Sequence, residues 1–326
     1  MKFTVAIPTY NRVETLKNSI KSVLNQNYHN YELLIIDNAS TDNTENIKEI
    51  YNDDRIKYYR NSSNIGLFNN LNKCLEKSNG DYFCWLSDDD YFNDENYLNN
   101  VARIVDKNQG IGLIYGGRQL VNVSNNTITQ SIKGKNKLYS NASDWWVYRN
   151  KKMILNISGV FILNNKFIRE KIKEDPGAGW GYDDYIYTAA ISSAGGYELR
   201  DVSVTMSINT NDNNIQSINV FDVIESSRRS RSKILSLIDK ESSALYSRAK
   251  KVIETRFNDS IFLGLIIKKQ IESESGSIKK LCEVIKNNNL NILLCFINAS
   301  YFFGLVLLLV PSQSVRKYIL YRLKYD

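Results

Sequence analysis

Acidic side chains gather behind two apolar runs of this 326-residue chain. Asp37 directly follows the run 33–36, and Asp88, Asp89 and Asp90 follow the run 82–86 after a single Ser87. Three adjacent carboxylates repel one another, and beside a buried strand end they are costly unless a cation neutralises them. Their hard oxygens suit Mg2+ or Mn2+, which complete their shells with water and phosphate oxygens. The competing reading is an acidic turn that caps a nearby helix. A position straight after a buried strand favours the cation, because open parallel sheets bind ligands beyond the carboxyl ends of their strands.

The elements that must position these groups alternate. Residues 3–7 form a short β-rich run, and Pro8, lacking an N–H, is expected to end it and open a loop. Val13, Leu16, Ile20, Val23 and Leu24 recur at helical spacing, and 33–36 reads as a buried parallel strand. A polar helix over about 41–51, a strand near 56–60, a helix carrying Leu67, Leu71, Cys74 and Leu75, and the strand 82–86 continue the pattern. A helix around 97–105 and a strand at 111–115 follow, and the Asn-rich stretch 122–141 reads as a hairpin and loop. A strand at 159–163, a helix from about Asp183 and a strand near 198–207 complete the pattern, and beyond about residue 215 only helical periodicity remains. The expectation is an α/β fold, a Rossmann-like, mostly parallel sheet with helices on both faces, over residues 1–215, followed by a C-terminal helical extension over 216–326.

Composition narrows the function classes. A hydrophobic content of 43% and a mean hydropathy of −0.36 fit a globular chain folding in water better than a polytopic membrane protein. The formal net charge of +7 favours anionic partners without choosing among them. Cys74, Cys84, Cys282 and Cys295 form no CxxC pair, and His29 is the single histidine, so neither a structural zinc site nor a disulfide framework is expected. No basic-then-apolar segment opens the sequence, which points to the cytosol. Arg228, Arg229, Arg231 and Lys233 sit in a Ser-rich helical segment without interleaved aromatics, a solvated helix face and no nucleic-acid surface.

Several motifs in one order carry a resemblance. Val5-Ala6-Ile7-Pro8-Thr9-Tyr10-Asn11-Arg12 resembles the opening of family 2 glycosyltransferases, and Ser22-Val23-Leu24-Asn25-Gln26 falls where their first helix carries a similar SVLxQ. The stretch ELLIIDNASTDNT, from Glu32 to Thr44, is similar to their second-strand motif, usually written with DDGSTD; Asn64-x-Gly66, Asn72 and Gly80-Asp81-Tyr82 match their spacing. The likeness is close over residues 3–92, weaker to about 208 and absent beyond. It implies a GT-A fold, inversion at the anomeric carbon, and metal-assisted binding of a nucleoside-diphosphate sugar by Pro8, Thr9, Tyr10, Asn11, Arg12, Asp37, Asn38, Asn64, Gly66, Asn72 and Asp88. It also implies a saccharide or lipid-linked acceptor, in the assembly of polysaccharide, capsule or O-antigen.

Departures from the family pattern shift individual roles. Asn38 stands where a second aspartate is common, and Leu71 replaces an arginine often seen before Asn72. Counted from Gly80, Ser87-Asp88-Asp89 falls on the family's DxD, so Asp89 takes the metal-ligand position with Asp88 and Asp90 in support; a shifted register would pair Asp88 with Asp90. The resemblance places the base that deprotonates the acceptor at Asp184, with Asp183 beside it, in Gly179-Trp180-Gly181-Tyr182-Asp183-Asp184-Tyr185. The plainer reading makes Asp183 a helix cap and Asp184 a first-turn charge. Trp180 and Tyr182 could stack on an acceptor sugar or belong to the core. A sugar-nucleotide nucleotidyltransferase lacks its glycine-rich phosphate loop here, and a non-catalytic protein on the same fold would have no need of Asp37, Asp89 and Asp184 together.

One segment bears on location. No charged residue occurs from Asn287 to Val315, and 292–310 is largely apolar, long enough as a helix to measure about 28 Å. Lys279, Lys280 and Lys286 precede it, and Arg316, Lys317, Arg322 and Lys324 follow. Basic flanks on both sides oppose a single span and suit a helix lying on the inner face of the cell membrane; a buried bundle helix is the alternative.

Overall fold

The computed structural model describes residues 1–150, 153, 155–173, 181–208, 220–238 and 243–256. Strands and helices alternate from the start: β1 (Phe3–Thr9), α1 (Val13–Leu24), β2 (Tyr31–Asp37), a 3-10 turn (Asn43–Asn46) running into α2 (Ile47–Ile50), β3 (Ile56–Arg60), α3 (Leu67–Lys77) and β4 (Tyr82–Trp85). After β5 (Tyr91–Phe92) and α4 (Tyr97–Lys107) come β6 (Leu113–Asn122), β7 (Thr127–Ile132), β8 (Lys137–Tyr139), α5 (Ala142–Tyr148), β9 (Val160–Leu163), α6 (Lys166–Lys173), α7 (Tyr182–Ala194) and β10 (Gly196–Ile208). Two further helices, α8 (Val220–Leu237) and α9 (Ser243–Arg256), follow.

One sheet runs β3-β2-β1-β4-β9-β6-β10-β5, with β7 paired to β6 and β8 to β10. The first four strands are parallel, as their apolar runs lead one to expect; β9 then runs antiparallel to both β4 and β6, and the second half is mixed. Alternation along the strands divides the core between two faces. Val5, Ile7, Leu33 and Ile35 meet Leu16 and Ile20 of α1 and Val101 of α4, whereas Ala6, Leu34 and Ile36 face Leu71 and Cys74 of α3. Ile234 of α8 and Ile253 of α9 join that second cluster with Trp145, Trp146 and Tyr185, so both helices extend the core on α5 and α7. No described helix is long and apolar enough to cross a membrane, and the stretch 292–310 lies outside the described residues.

Two expectations about strand ends are corrected. Pro8 does not end β1: it sits within the strand, opposite Ile36. Ala6 O accepts from Leu86 N on the β4 side, so Pro8, two residues on, turns its missing N–H toward the same side, where pairing with β4 has already stopped at Trp85. Likewise β6 does not stop at Tyr115 but continues through Gly116-Gly117 to Asn122. Those glycines permit close approach: a Cβ on Gly116 would lie 2.3 Å from Ser203 Oγ, and one on Gly117 2.6 Å from Ile132 O.

At the amino end of the parallel strands a buried carboxylate acts as a clasp. Glu32, 2% exposed, accepts from Thr4 Oγ1 (2.7 Å) and Asn79 N (2.6 Å) through one oxygen, and from Lys57 Nζ (2.7 Å) and Lys2 Nζ (3.3 Å) through the other. Burial alone would raise its pKa, but those hydrogen bonds and the Lys2 charge overcome that cost and hold it at about 2. β1, β2, β3 and the turn before β4 are thereby joined about 16 Å from Asp37 at the other end of β2.

Candidate active site

The carboxyl ends of β1, β2 and β4 lie side by side at one edge of the sheet. Asp37, fully buried, accepts from Ser40 N (2.9 Å) and Tyr58 OH (2.6 Å) and lies 3.8 Å from Arg60 Nε. Asn38 beside it heads a group of amides. Its Nδ2 donates to Asn64 Oδ1 (2.8 Å), its Oδ1 accepts from Asn61 Nδ2 and Ile65 N (both 3.0 Å), and Asn61 Nδ2 also reaches Asn70 Oδ1 (2.9 Å). Asn70 Nδ2 in turn caps Ile36 O (3.0 Å), and Asn64 Oδ1 receives Gly66 N (2.9 Å). Gly66 starts α3 at φ 82°, a backbone region where a Cβ is strained whatever the space around it. Asn61 and Asn70 were not legible as members of this group, and Asn72, expected there, is half-buried on α3.

The loop after β1 bridges the two acidic sites. Asn11, at φ 55°, donates its N–H to Ser40 Oγ (2.9 Å) and accepts from Thr41 N (2.7 Å), fastening the loop to the end of β2. Tyr10 is exposed. Thr9 Oγ1 donates to Asp88 Oδ2 (2.8 Å), and Arg12 Nη1 lies 2.7 Å from Asp89 Oδ2 and 3.4 Å from Asp88 Oδ1. Asp88 and Asp89 thus share one guanidinium.

Asp90 turns elsewhere. Its carboxylate accepts from Ser158 Oγ (2.5 Å), Asn156 Nδ2 (3.2 Å) and Ser207 N (3.0 Å), and its backbone carbonyl from Ser19 Oγ (2.6 Å). Burial pushes the Asp88 carboxyl up to about 6 against the opposing pull of Arg12 and Thr9. Burial, then the charge of Asp89, pushes Asp90 to about 6 as well, against its hydrogen bonds from Ser158, Ser207 and Asn156. Asp88 and Asp89, two carboxylates whose hard oxygens face one cation, have the donor chemistry that Mg2+ or Mn2+ takes, and those ions need only one or two protein carboxylates. Among the described residues no three acidic, histidine or cysteine side chains form a preassembled metal cluster.

The second acidic pair opens α7. Gly181, at φ 87°, occupies the N-cap position and both Asp183 and Asp184 lie in the first turn, so the reading of Asp183 as the cap is not realised. Asp183 is half-buried; Asp184 is buried and accepts from Arg149 Nη1 (3.1 Å). Tyr182 packs edge-on against Phe68 (5.9 Å) and is a core residue, while Trp180 lies outside the described residues. The two acidic regions are joined by a hydrogen-bonded path: Tyr187 OH, one turn along α7, donates to Asn156 O (2.6 Å), and Asn156 Nδ2 donates to Asp90. Sequence spacing gave no sign of Arg149, Asn156, Ser158 or Ser207, because each meets its partner only through the fold.

Comparison with known proteins bears on the family and the fold. A family model described as glycosyl transferase family 2 matches residues 4–175. A stretch of 190 residues is 27% identical to the GalNAc(5)-diNAcBac-PP-undecaprenol β-1,3-glucosyltransferase of Campylobacter jejuni, covering 55% of this chain and 58% of that protein. A crystal structure of Staphylococcus aureus TarS 1–349 with UDP-GlcNAc superposes with a TM-score of 0.61 at 16% identity, over 99% of this chain and 92% of that one. A mannosyltransferase of Pyrobaculum calidifontis, with GDP-Man and Mn2+, gives 0.56 at 12% identity, over 98% and 86%. Matches to the curated relatives span from 13% to 58% of those proteins' own length. The fold is GT-A, and with over half its length matched by the family model, the chain belongs to glycosyl transferase family 2.

Proposed function

We propose that the chain is an inverting glycosyltransferase that moves a sugar from a nucleoside-diphosphate donor to a hydroxyl of a saccharide or lipid-linked acceptor, in polysaccharide, capsule or O-antigen assembly. The observation that carries this reading is the meeting at one sheet edge of Asp37, Asp88 and Asp89, with α7, the helix that carries Asp184, tied to the neighbouring Asp90 through Tyr187 and Asn156. Asp37 and the amides of Asn38 and Asn64 present acceptors and donors suited to the nucleoside; Pro8 to Arg12 line the donor's path to the acidic loop. Asp89 is the first ligand for Mn2+ or Mg2+ and Asp88 the second, whereas Asp90, wrapped by three donors, frames the loop. When bound, the metal supplies positive charge that stabilises the departing diphosphate.

Asp184 takes the proton from the attacking acceptor hydroxyl. The acceptor oxygen forms its bond to the anomeric carbon from the face opposite the diphosphate, and the donor's carbon–oxygen bond breaks with its electron pair leaving on the diphosphate. Attachment of residues about 290–324 to the inner membrane surface is a proposal from sequence alone, since that segment lies outside the described residues; a lipid-linked acceptor, as named for the Campylobacter relative, is compatible with it. The direct test is a panel of nucleotide sugars scored for metal-dependent turnover and thermal stabilisation, with Asp184→Asn alongside. That variant is expected to keep donor affinity and slow transfer by about 10²–10⁴. No stabilisation by any nucleotide sugar, or unchanged turnover of Asp184→Asn and Asp183→Asn, overturns the reading.

A further inference from the structure

We infer that Arg149 is a positioning residue for the base Asp184, held by an indole pair so that its guanidinium fixes that carboxylate in direction. The inference rests on the assignment of Asp184 proposed above. Arg149 follows α5 directly, and its guanidinium lies 4.3 Å from the Trp145 ring and 4.1 Å from the Trp146 ring. Both tryptophans are fully buried and tilted at 74° to each other, 5.2 Å apart. Two indoles set at such an angle restrict the guanidinium to one plane, and stacking on an aromatic face suits arginine better than lysine.

The indoles are themselves tied down. Trp145 Nε1 donates to Tyr115 OH (3.0 Å) on β6, and Trp146 Nε1 to Thr188 Oγ1 (3.0 Å) on α7, one turn beyond Asp184. Thr188 Oγ1 donates back to the Asp184 carbonyl. Arg149 N donates to Trp145 O (2.8 Å), which fixes the start of the side chain. The guanidinium is thus delivered to Asp184 Oδ1 along a rigid path from the sheet, and both partners of the ion pair are buried.

Such a pair contributes little net stability, since desolvating two charges offsets most of their attraction. Its consequence for a base is larger. The guanidinium 3.1 Å from Oδ1 holds the carboxylate in one orientation. Fixing Oδ1 also fixes the plane in which the carboxylate meets the acceptor hydroxyl.

The test compares Arg149→Gln and Arg149→Lys with the wild type and with Asp184→Asn, reading kcat, donor KM and the melting temperature. Arg149→Gln is expected to lower kcat by about 10–100-fold with donor KM unchanged. Arg149→Lys, which keeps the charge without the stacked plane, should also lower kcat with donor KM unchanged. A purely structural arginine would lower the melting temperature and leave kcat where it is, and that result overturns the inference. If Arg149→Gln does not fold, wild-type kcat in Arg149→Lys overturns it instead. Full turnover of Asp184→Asn overturns the base itself, whereas an inactive Asp184→Asn beside wild-type Arg149 variants removes only the role of the arginine.

Discussion

Replacing Glu32 by Gln separates the stability of this fold from its chemistry. The carboxylate is held at about 2 against an ordinary 4.5, and at 1.36 kcal/mol for each unit that gap corresponds to about 3 kcal/mol favouring the folded state at neutral pH. Lys2 and Lys57 are partly exposed and screened by solvent, so a loss of about 2 kcal/mol is the realistic expectation for Glu32→Gln. The pH dependence follows from the sign of the perturbation. A carboxyl with a depressed folded pKa contributes fully above about 4.5 and loses its contribution as pH falls toward 2. The stability difference between wild type and Glu32→Gln should therefore be flat from pH 7 to 5 and shrink by more than half by pH 3. Urea unfolding at pH 7, 5, 4 and 3 measures it, and nucleotide-sugar affinity at pH 7 should be unchanged because Glu32 lies at the far end of β2. A difference below about 0.5 kcal/mol at pH 7, or one that widens on acidification, would refute the account of the clasp.

Three further outcomes are expected. Asp89→Asn should abolish transfer and weaken nucleotide binding, and chelator should do the same to the wild type; undiminished activity in either experiment removes the metal from Asp89. Tyr58→Phe, which takes the 2.6 Å hydrogen bond from Asp37, should weaken donor binding by about 1 kcal/mol, or roughly fivefold, in a calorimetric titration with little change in kcat. Arg118 is 1% exposed and its Nε and Nη2 find no acceptor among the described residues, so Arg118→Met should raise the melting temperature; a marked fall would show that the guanidinium has a partner of real strength.

What could be read before folding, and what could not, divides along physical lines. Asp37 and Asp88 to Asp90 stood out because continuous apolar runs mark buried parallel strands, and chemistry collects at their carboxyl ends. Pro8 misled because its effect depends on which side of the strand its nitrogen faces, a property of sheet register and not of composition. The far end of β6 was not legible either: Gly116-Gly117 let β7 and β10 lie close to β6, a role that only the packed sheet shows. Tyr182 carries no label that distinguishes a stacking ring from a core ring until Phe68 is found against it. The Asn38 amide group and the Arg149 pair join residues 9 to 35 positions apart, and no local period predicts such partners.

The ties around Asp90 set an order of events during synthesis. Its partners Ser19, Asn156, Ser158 and Ser207 lie 71, 66, 68 and 117 positions away, so the loop is framed only after β10 has been made and docked. At about 5–20 residues per second, a ribosome adds the intervening 117 residues in roughly 6 to 23 s. During that interval the parallel half of the sheet can form while the acidic loop stays open to water, its carboxylates hydrated and mutually repelling. The acidic loop therefore takes its final shape late, and a lesion that delays seating of β10 would yield a nascent chain with a formed parallel half and an unframed acidic loop.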